Sequence, residues 1–128
     1  MIAVQAAGAP AFYRSWHSGR LESTARAETF ADGLATRQAY ELPLRLLRES
    51  LDDVVLVTDE ELERAMVALL RHAHVLAEPA AAAPVAALAQ SAVRERLAGQ
   101  RAAVLLSGGN VTPETLRRVL RAQLEAEA

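Results

Sequence analysis

Val54-Val55-Leu56-Val57-Thr58-Asp59-Glu60-Glu61 is the stretch on which the fold turns. Four apolar residues in a row, mostly β-branched, are too few for a helix and lack the alternation of a half-exposed strand. The run therefore reads as a strand buried on both faces, the habit of parallel sheets covered by helices. Thr58 and Glu61 then form a capping box, the Thr58 hydroxyl accepting from the Glu61 amide while the Glu61 carboxylate reaches back. Leu62, Met66, Leu69 and Leu70 follow at helical spacing to about His72.

Upstream, residues 2–5 (IAVQ) read as a second short buried strand. It enters the turn Ala6-Ala7-Gly8-Ala9-Pro10, where proline suits a first helical position, and a short helix runs to about Trp16. Residues 18–33 are polar and glycine-punctuated, a connection of the length usually found where a loop has a task. A helix is expected to resume near Leu34 or Thr36. Pro43 breaks or restarts it, and Leu44, Leu46, Leu47 and Leu51 give the next helix an apolar face.

Downstream, Pro79 or Pro84 opens an alanine-rich helix ending before Ser91, and a shorter helix over 91–97 stops at Gly99. Residues 102–106 (AAVLL) read as a third buried strand. Ser107-Gly108-Gly109-Asn110 is a sharp turn, and Thr112-Pro113-Glu114 caps a final helix with apolar positions Leu116, Val119, Leu120 and Leu124. Strands alternating with helices make the class α/β, a three-layer arrangement with a mainly parallel sheet and flanking helices.

The 128 residues suit a single domain, 52% hydrophobic and 23% charged, the balance of a globular chain. With no cysteine, disulfides, thiolate metal sites and a thiol nucleophile are excluded. All 14 basic residues are arginine, so no side-chain amine is available as nucleophile or general base. A net charge of -2 argues against nucleic acid and anionic membranes as partners. The apolar run over 75–89 is broken by Glu78, Pro79 and Pro84, which rules against a membrane span, and no basic leader precedes Ile2. A cytoplasmic protein is expected.

Among candidate groups, His72 and His74 stand about 200° apart on a helix. With no third ligand nearby, they read as a polar helix end and no metal site is expected. Arg117, Arg118 and Arg121 share the last helix with Glu114, Glu125 and Glu127, which makes a solvated, ion-paired surface. Asp52 and Asp53 read as turn residues.

The turn at 107–110 is different: it puts a hydroxyl at the carboxyl end of a buried strand, the edge where open α/β sheets bind ligands. The bland alternative is a plain turn whose glycines supply positive φ, and both readings stay open here. Glu78 places a carboxylate in an apolar stretch just before a helix. Burying it alone is costly, so it either caps that helix or meets a ligand. Residues 29–35 add an acid and a glycine at the end of the long loop.

Four segments in this order, TFADGLA at 29–35, VVLVTDEE at 54–61, AEPAAA at 77–82 and LLSGGNV at 105–111, resemble those of threonine/serine dehydratases. These are pyridoxal-phosphate enzymes of the tryptophan-synthase-β-like fold. The resemblance runs from Ile2 to about Leu120 and matches only the C-terminal portion of such an enzyme, so 1–128 is expected to be one partial domain of its large domain, without a regulatory domain.

The resemblance implies that the Ser107 hydroxyl bonds the pyridine nitrogen of pyridoxal phosphate. Gly108 and Gly109 would let the ring edge approach, Asn110 would brace the turn, and Glu78 would lie near the ring or the substrate. The lysine that carries the cofactor and the glycine-rich phosphate cup of the family have no counterpart here, so no catalytic residue is assigned. Some members bind a divalent cation through a Glu and an Asp at the places of Gln5 and Ala11, so none is expected here. Ala81 stands where the family usually has glycine.

The implied function is a contribution to β-elimination of a small hydroxy amino acid, giving a 2-oxo acid and ammonia. The chain alone would be inactive, would need the missing N-terminal portion as partner, and would belong to a homo-oligomer when intact. The rival is a non-catalytic α/β small-molecule-binding or interaction module. Threonine synthase, serine racemase and diaminopropionate lyase also remain open within the superfamily.

Overall fold

The structure, a computed structural model, describes residues 1–126; Glu127, read above as part of the charged last helix, lies outside the described residues. The elements are β1 (Ile2–Ala6), α1 (Ala11–Ser18), α2 (Glu41–Ser50), β2 (Asp53–Val57), α3 (Asp59–Ala68), α4 (Pro79–Ala89), α5 (Ser91–Arg96) and α6 (Pro113–Ala126). A single 3-10 turn lies at Asp32–Leu34, and a π turn at Leu69–Ala73 prolongs α3. The chain divides into two compact units, Met1–Asp59 and the part from Glu60 onward.

In the first unit β1 and β2 pair in parallel, Ala3 opposite Val54 and Gln5 opposite Leu56. A parallel pair needs a crossover, supplied here by α1, the long connection and α2. Val54 and Val57 are buried with Ala6 against α1, and Leu44 and Leu51 close the core from the α2 side. The small Ala6, Ala9 and Ala11 allow close approach.

Buried Gln5 accepts the Tyr13 amide at 2.8 Å, satisfying a first-turn donor of α1 that has no partner within the helix, and donates to the Thr36 hydroxyl at 3.3 Å. Fully buried Ser15 accepts the Glu22 amide at 2.8 Å and so ties the start of the long connection to α1.

The helix expected near Leu34 or Thr36 does not form. Residues 36–39 are instead drawn into an antiparallel bridge, Ser23 with Gln38, where the Thr24 amide donates to the Arg37 carbonyl at 2.8 Å. The helix starts at Glu41, and Pro43 sits in its first turn, where a missing N–H costs nothing. Of the expected apolar face, Leu44 and Leu51 are buried but Leu46 is 55% exposed.

In the second unit Leu62, Ala65, Met66 and Leu69 form the inner face of α3 and its extension. The π turn ends at His74 in the left-handed region (φ 55°), so His72 and His74 do mark a polar helix end. Pro79, not Pro84, opens α4, and Pro84 lies inside the helix. The Gln90 side-chain amide donates to the Glu61 carboxylate at 3.1 Å, and Arg118 pairs with Glu63 at 3.3 Å, tying the α4–α5 junction and α6 to α3. Thr112 caps α6 as read, accepting the Thr115 amide at 3.2 Å, and Val119 is fully buried.

The third strand is a correction. Residues 102–106 form no strand; the one ladder among the described residues is β1 with β2. Leu105 is 78% exposed. Apolar composition gives a segment the capacity to be a strand, but pairing with a neighbour is what makes it one. The α/β class and the parallel pairing stand without it.

Candidate functional site

The four segments singled out in the sequence fold into two clamps, one in each unit. In the first, the Asp59 carboxylate at the start of α3 reaches the 29–35 loop. It accepts the Thr29 hydroxyl through Oδ1 at 2.5 Å and the Phe30 amide through Oδ2 at 3.1 Å. The Thr29 hydroxyl oxygen in turn accepts the Ala31 amide at 3.1 Å, and Ala31 is fully buried. Bonds to an ionised acceptor are among the stronger ones available, so this loop is held although it has almost no regular structure.

The second clamp gathers Glu78, Gly108, Gly109 and Asn110. Glu78 is the backbone N-cap of α4, yet its side chain makes no capping bond. Its Oε2 instead accepts the Asn110 amide at 2.9 Å, and its own amide donates to the Gly108 carbonyl at 3.1 Å. The bracing expected of Asn110 thus falls to its backbone.

Neither Gly108 nor Gly109 has positive φ, which sets aside the plain-turn account of them. They are needed for close approach. A Cβ on Gly108 would stand 2.8 Å from Glu78 Oε1 and 2.9 Å from its Cδ, and one on Gly109 would stand 2.9 Å from the Leu76 carbonyl oxygen. The Val111 amide donates to the Gly109 carbonyl at 2.9 Å, so the chain makes a three-residue turn over 109–111 in place of the sharp turn expected at 107–110. Ser107, at the head of this turn, is exposed, and its hydroxyl has no hydrogen bond among the described residues. A hydroxyl both donates and accepts, so it is free to meet either kind of partner.

Two features of these clamps were not legible beforehand. Asp59 was visible only as part of a helix start; its hold on Thr29 spans 30 residues and has no local signature. Gly8 looked like an ordinary turn residue, but a Cβ there would fall 1.8 Å from the Glu28 carbonyl oxygen. His72 and His74 belong to neither clamp, and no group of three or more His, Asp or Glu side chains placed to hold a metal ion occurs among the described residues.

With its parallel pair and its alternation of strands and helices, the chain is an α/β protein. More specifically, the chain belongs to the family of pyridoxal-phosphate dependent enzymes, whose family model matches residues 1–108. It is 36% identical over 126 residues to an L-threonine ammonia-lyase of Geobacter sulfurreducens, covering 98% of this chain and 31% of that protein. A serine racemase of Dictyostelium discoideum is 29% identical over 94% of this chain and 37% of its own length.

Among solved structures, the T.th. threonine deaminase superposes with a TM-score of 0.78 at 33% identity. That match covers 87% of this chain and 39% of that one. The chain therefore spans about a third of the length of the curated relatives it matches. The relatives it resembles include threonine ammonia-lyases, a threonine dehydratase and a serine racemase, and the cofactor of the family is pyridoxal phosphate.

The residues present fit one edge of that cofactor. The Ser107 hydroxyl, exposed and without a hydrogen bond among the described residues, can donate to a pyridine nitrogen, while the lack of side chains at Gly108 and Gly109 lets Glu78 and the Leu76 carbonyl close on the loop. Nothing in the sequence supplies a lysine amine to carry it.

Proposed function

We propose that this chain is the C-terminal portion of a pyridoxal-phosphate-dependent threonine/serine ammonia-lyase, and that it contributes the contact to the pyridine nitrogen. The observation that carries this is the Ser107 hydroxyl, exposed and without a partner among the described residues, on a turn that Glu78 holds from behind. Family membership and the names of relatives support the reaction class, β-elimination of a small hydroxy amino acid to a 2-oxo acid and ammonia.

Pyridoxal phosphate, when bound, supplies electron withdrawal from the Cα of an amino acid. Ser107 would meet the ring nitrogen as a neutral group. It cannot hold a proton there as a carboxylate would, which suits elimination of a β-hydroxyl better than prolonged carbanion storage. Gly108 and Gly109 would keep side chains away from the ring edge, and Glu78 would keep the turn in place. Taking the Cα proton falls to a lysine outside this chain. Alone, then, the chain is inactive; its partners are the missing N-terminal portion and, in the intact enzyme, further copies of itself in the cytoplasm.

A coupled assay of 2-oxo acid release from threonine or serine, with added pyridoxal phosphate, tests this. The purified chain should give no turnover. Mixing it with the separately produced N-terminal two-thirds of the Geobacter relative should restore turnover, and Ser107→Ala should reduce the restored rate. Saturable turnover by the chain alone would overturn its inactivity; a mixture whose rate ignores Ser107→Ala would overturn the assigned contact. The absence of lysine also favours a second reading, a non-catalytic ligand-binding module. Micromolar pyridoxal phosphate binding, with no turnover in the mixture, would select it.

A further inference from the structure

A loop that must present one hydroxyl in one direction needs something to hold it, because residues 102–106 before it form no strand and Ser107 itself has no side-chain bond among the described residues. Three interactions from residues 76–78 do the holding. The Leu76 carbonyl oxygen lies where a Cβ on Gly109 would come within 2.9 Å, and the Glu78 carboxylate takes the Asn110 amide at 2.9 Å while resting against Gly108. The Glu78 amide completes the grip on the Gly108 carbonyl at 3.1 Å.

The main-chain contact would survive most substitutions of Glu78, whereas the carboxylate contact belongs to this side chain alone. A carboxylate is acceptor-only, so it can face an amide without competing for the turn's carbonyls. Glu78 is half-buried and makes no capping bond to α4, so the turn is the polar partner of its carboxylate.

We propose that Glu78 is the positioning residue for Ser107: its carboxylate, acting through the Asn110 amide and the clearance left by Gly108, keeps the 107–110 turn in one register and the Ser107 hydroxyl outward. The functional use of that hydroxyl rests on the reading given under Proposed function; the positioning does not.

The test is amide hydrogen exchange and chemical shift by NMR on the 15N,13C-labelled chain, followed by titration with pyridoxine 5′-phosphate, which has no aldehyde. Glu78→Ala should speed exchange at Asn110 by roughly tenfold or more and move or split the Ser107 resonances. Glu78→Gln keeps one acceptor oxygen and should restore most of the protection. Gly108→Ala should reproduce the Glu78→Ala result by pushing the carboxylate away while leaving residue 78 intact, which guards against a Glu78 variant that folds poorly. Circular dichroism should stay unchanged throughout.

Equal Asn110 exchange in the parent, Glu78→Ala and Gly108→Ala overturns the proposal, as does loss in Glu78→Gln as large as in Glu78→Ala. If these exchange results come out as expected but pyridoxine 5′-phosphate moves no resonance of 107–110 in the parent, the positioning stands and the cofactor reading of Ser107 fails.

Discussion

Replacing Gly8 by alanine tests how the first unit is assembled. The new Cβ would lie 1.8 Å from the Glu28 carbonyl oxygen and 2.7 Å from its carbon, where real contacts essentially never fall below 3.0 Å. Both partners are backbone, so no side chain can rotate away. The 28–35 loop must retreat by at least about 1.2 Å, and the Glu28 amide then loses its 2.8 Å bond to the Gly8 carbonyl. Overpacking of this kind and one lost backbone bond together cost about 2–4 kcal/mol.

Urea unfolding followed by the fluorescence of Trp16, the chain's single tryptophan and a resident of this unit, reads that cost directly. With a slope of about 1 kcal/mol per molar, the midpoint should fall by about 2 M or more. Gly99→Ala is the control: its φ of 74° penalises alanine, but nothing lies within 4 Å of the added carbon, so only about 1 kcal/mol is at stake. A Gly8→Ala midpoint within about 0.5 M of the parent would refute the close-approach reasoning.

Three further outcomes are expected. Asp59→Ala removes the acceptor for both the Thr29 hydroxyl and the Phe30 amide and should destabilise the first unit by about 2–3 kcal/mol, with Asp59→Asn losing roughly half as much, checked by thermal unfolding. Ser107→Ala removes a hydroxyl that bonds nothing among the described residues, so stability should stay within about 0.5 kcal/mol of the parent while the pyridoxine 5′-phosphate shifts at 107–110 diminish. A larger stability loss would mean that the hydroxyl serves the fold. Arg118→Ala breaks a pair with Glu63 in which the arginine is 53% exposed, so it should cost under about 1 kcal/mol and less still in about 0.5 M NaCl.

Much of the fold was legible because its signals are local. The run 54–57 announced β2, the 2–5 run announced β1, and the Thr112-Pro113 pair announced the start of α6; each depends on near neighbours in the chain. The two failures share a cause. Residues 102–106 have the composition of a strand but pair with no segment among the described residues, and residues 36–39 have helix formers but are taken by the bridge from Ser23 to Gln38. In both, pairing beyond the local sequence, not local preference, decided the outcome.

The site divides in the same way. Chain chemistry alone determined that Glu78 in its apolar setting needs a polar partner, and that a chain whose basic residues are all arginine has no lysine amine to offer. Tertiary structure decided that Glu78 meets the Asn110 amide and leaves α4 uncapped, that Gly108 is glycine for want of room, and that Asp59 holds Thr29. The reason is geometric: turn type and helix periodicity are read over a few bonds, whereas a hydrogen bond between residues 32 apart exists only once the intervening helices have folded and set the distance.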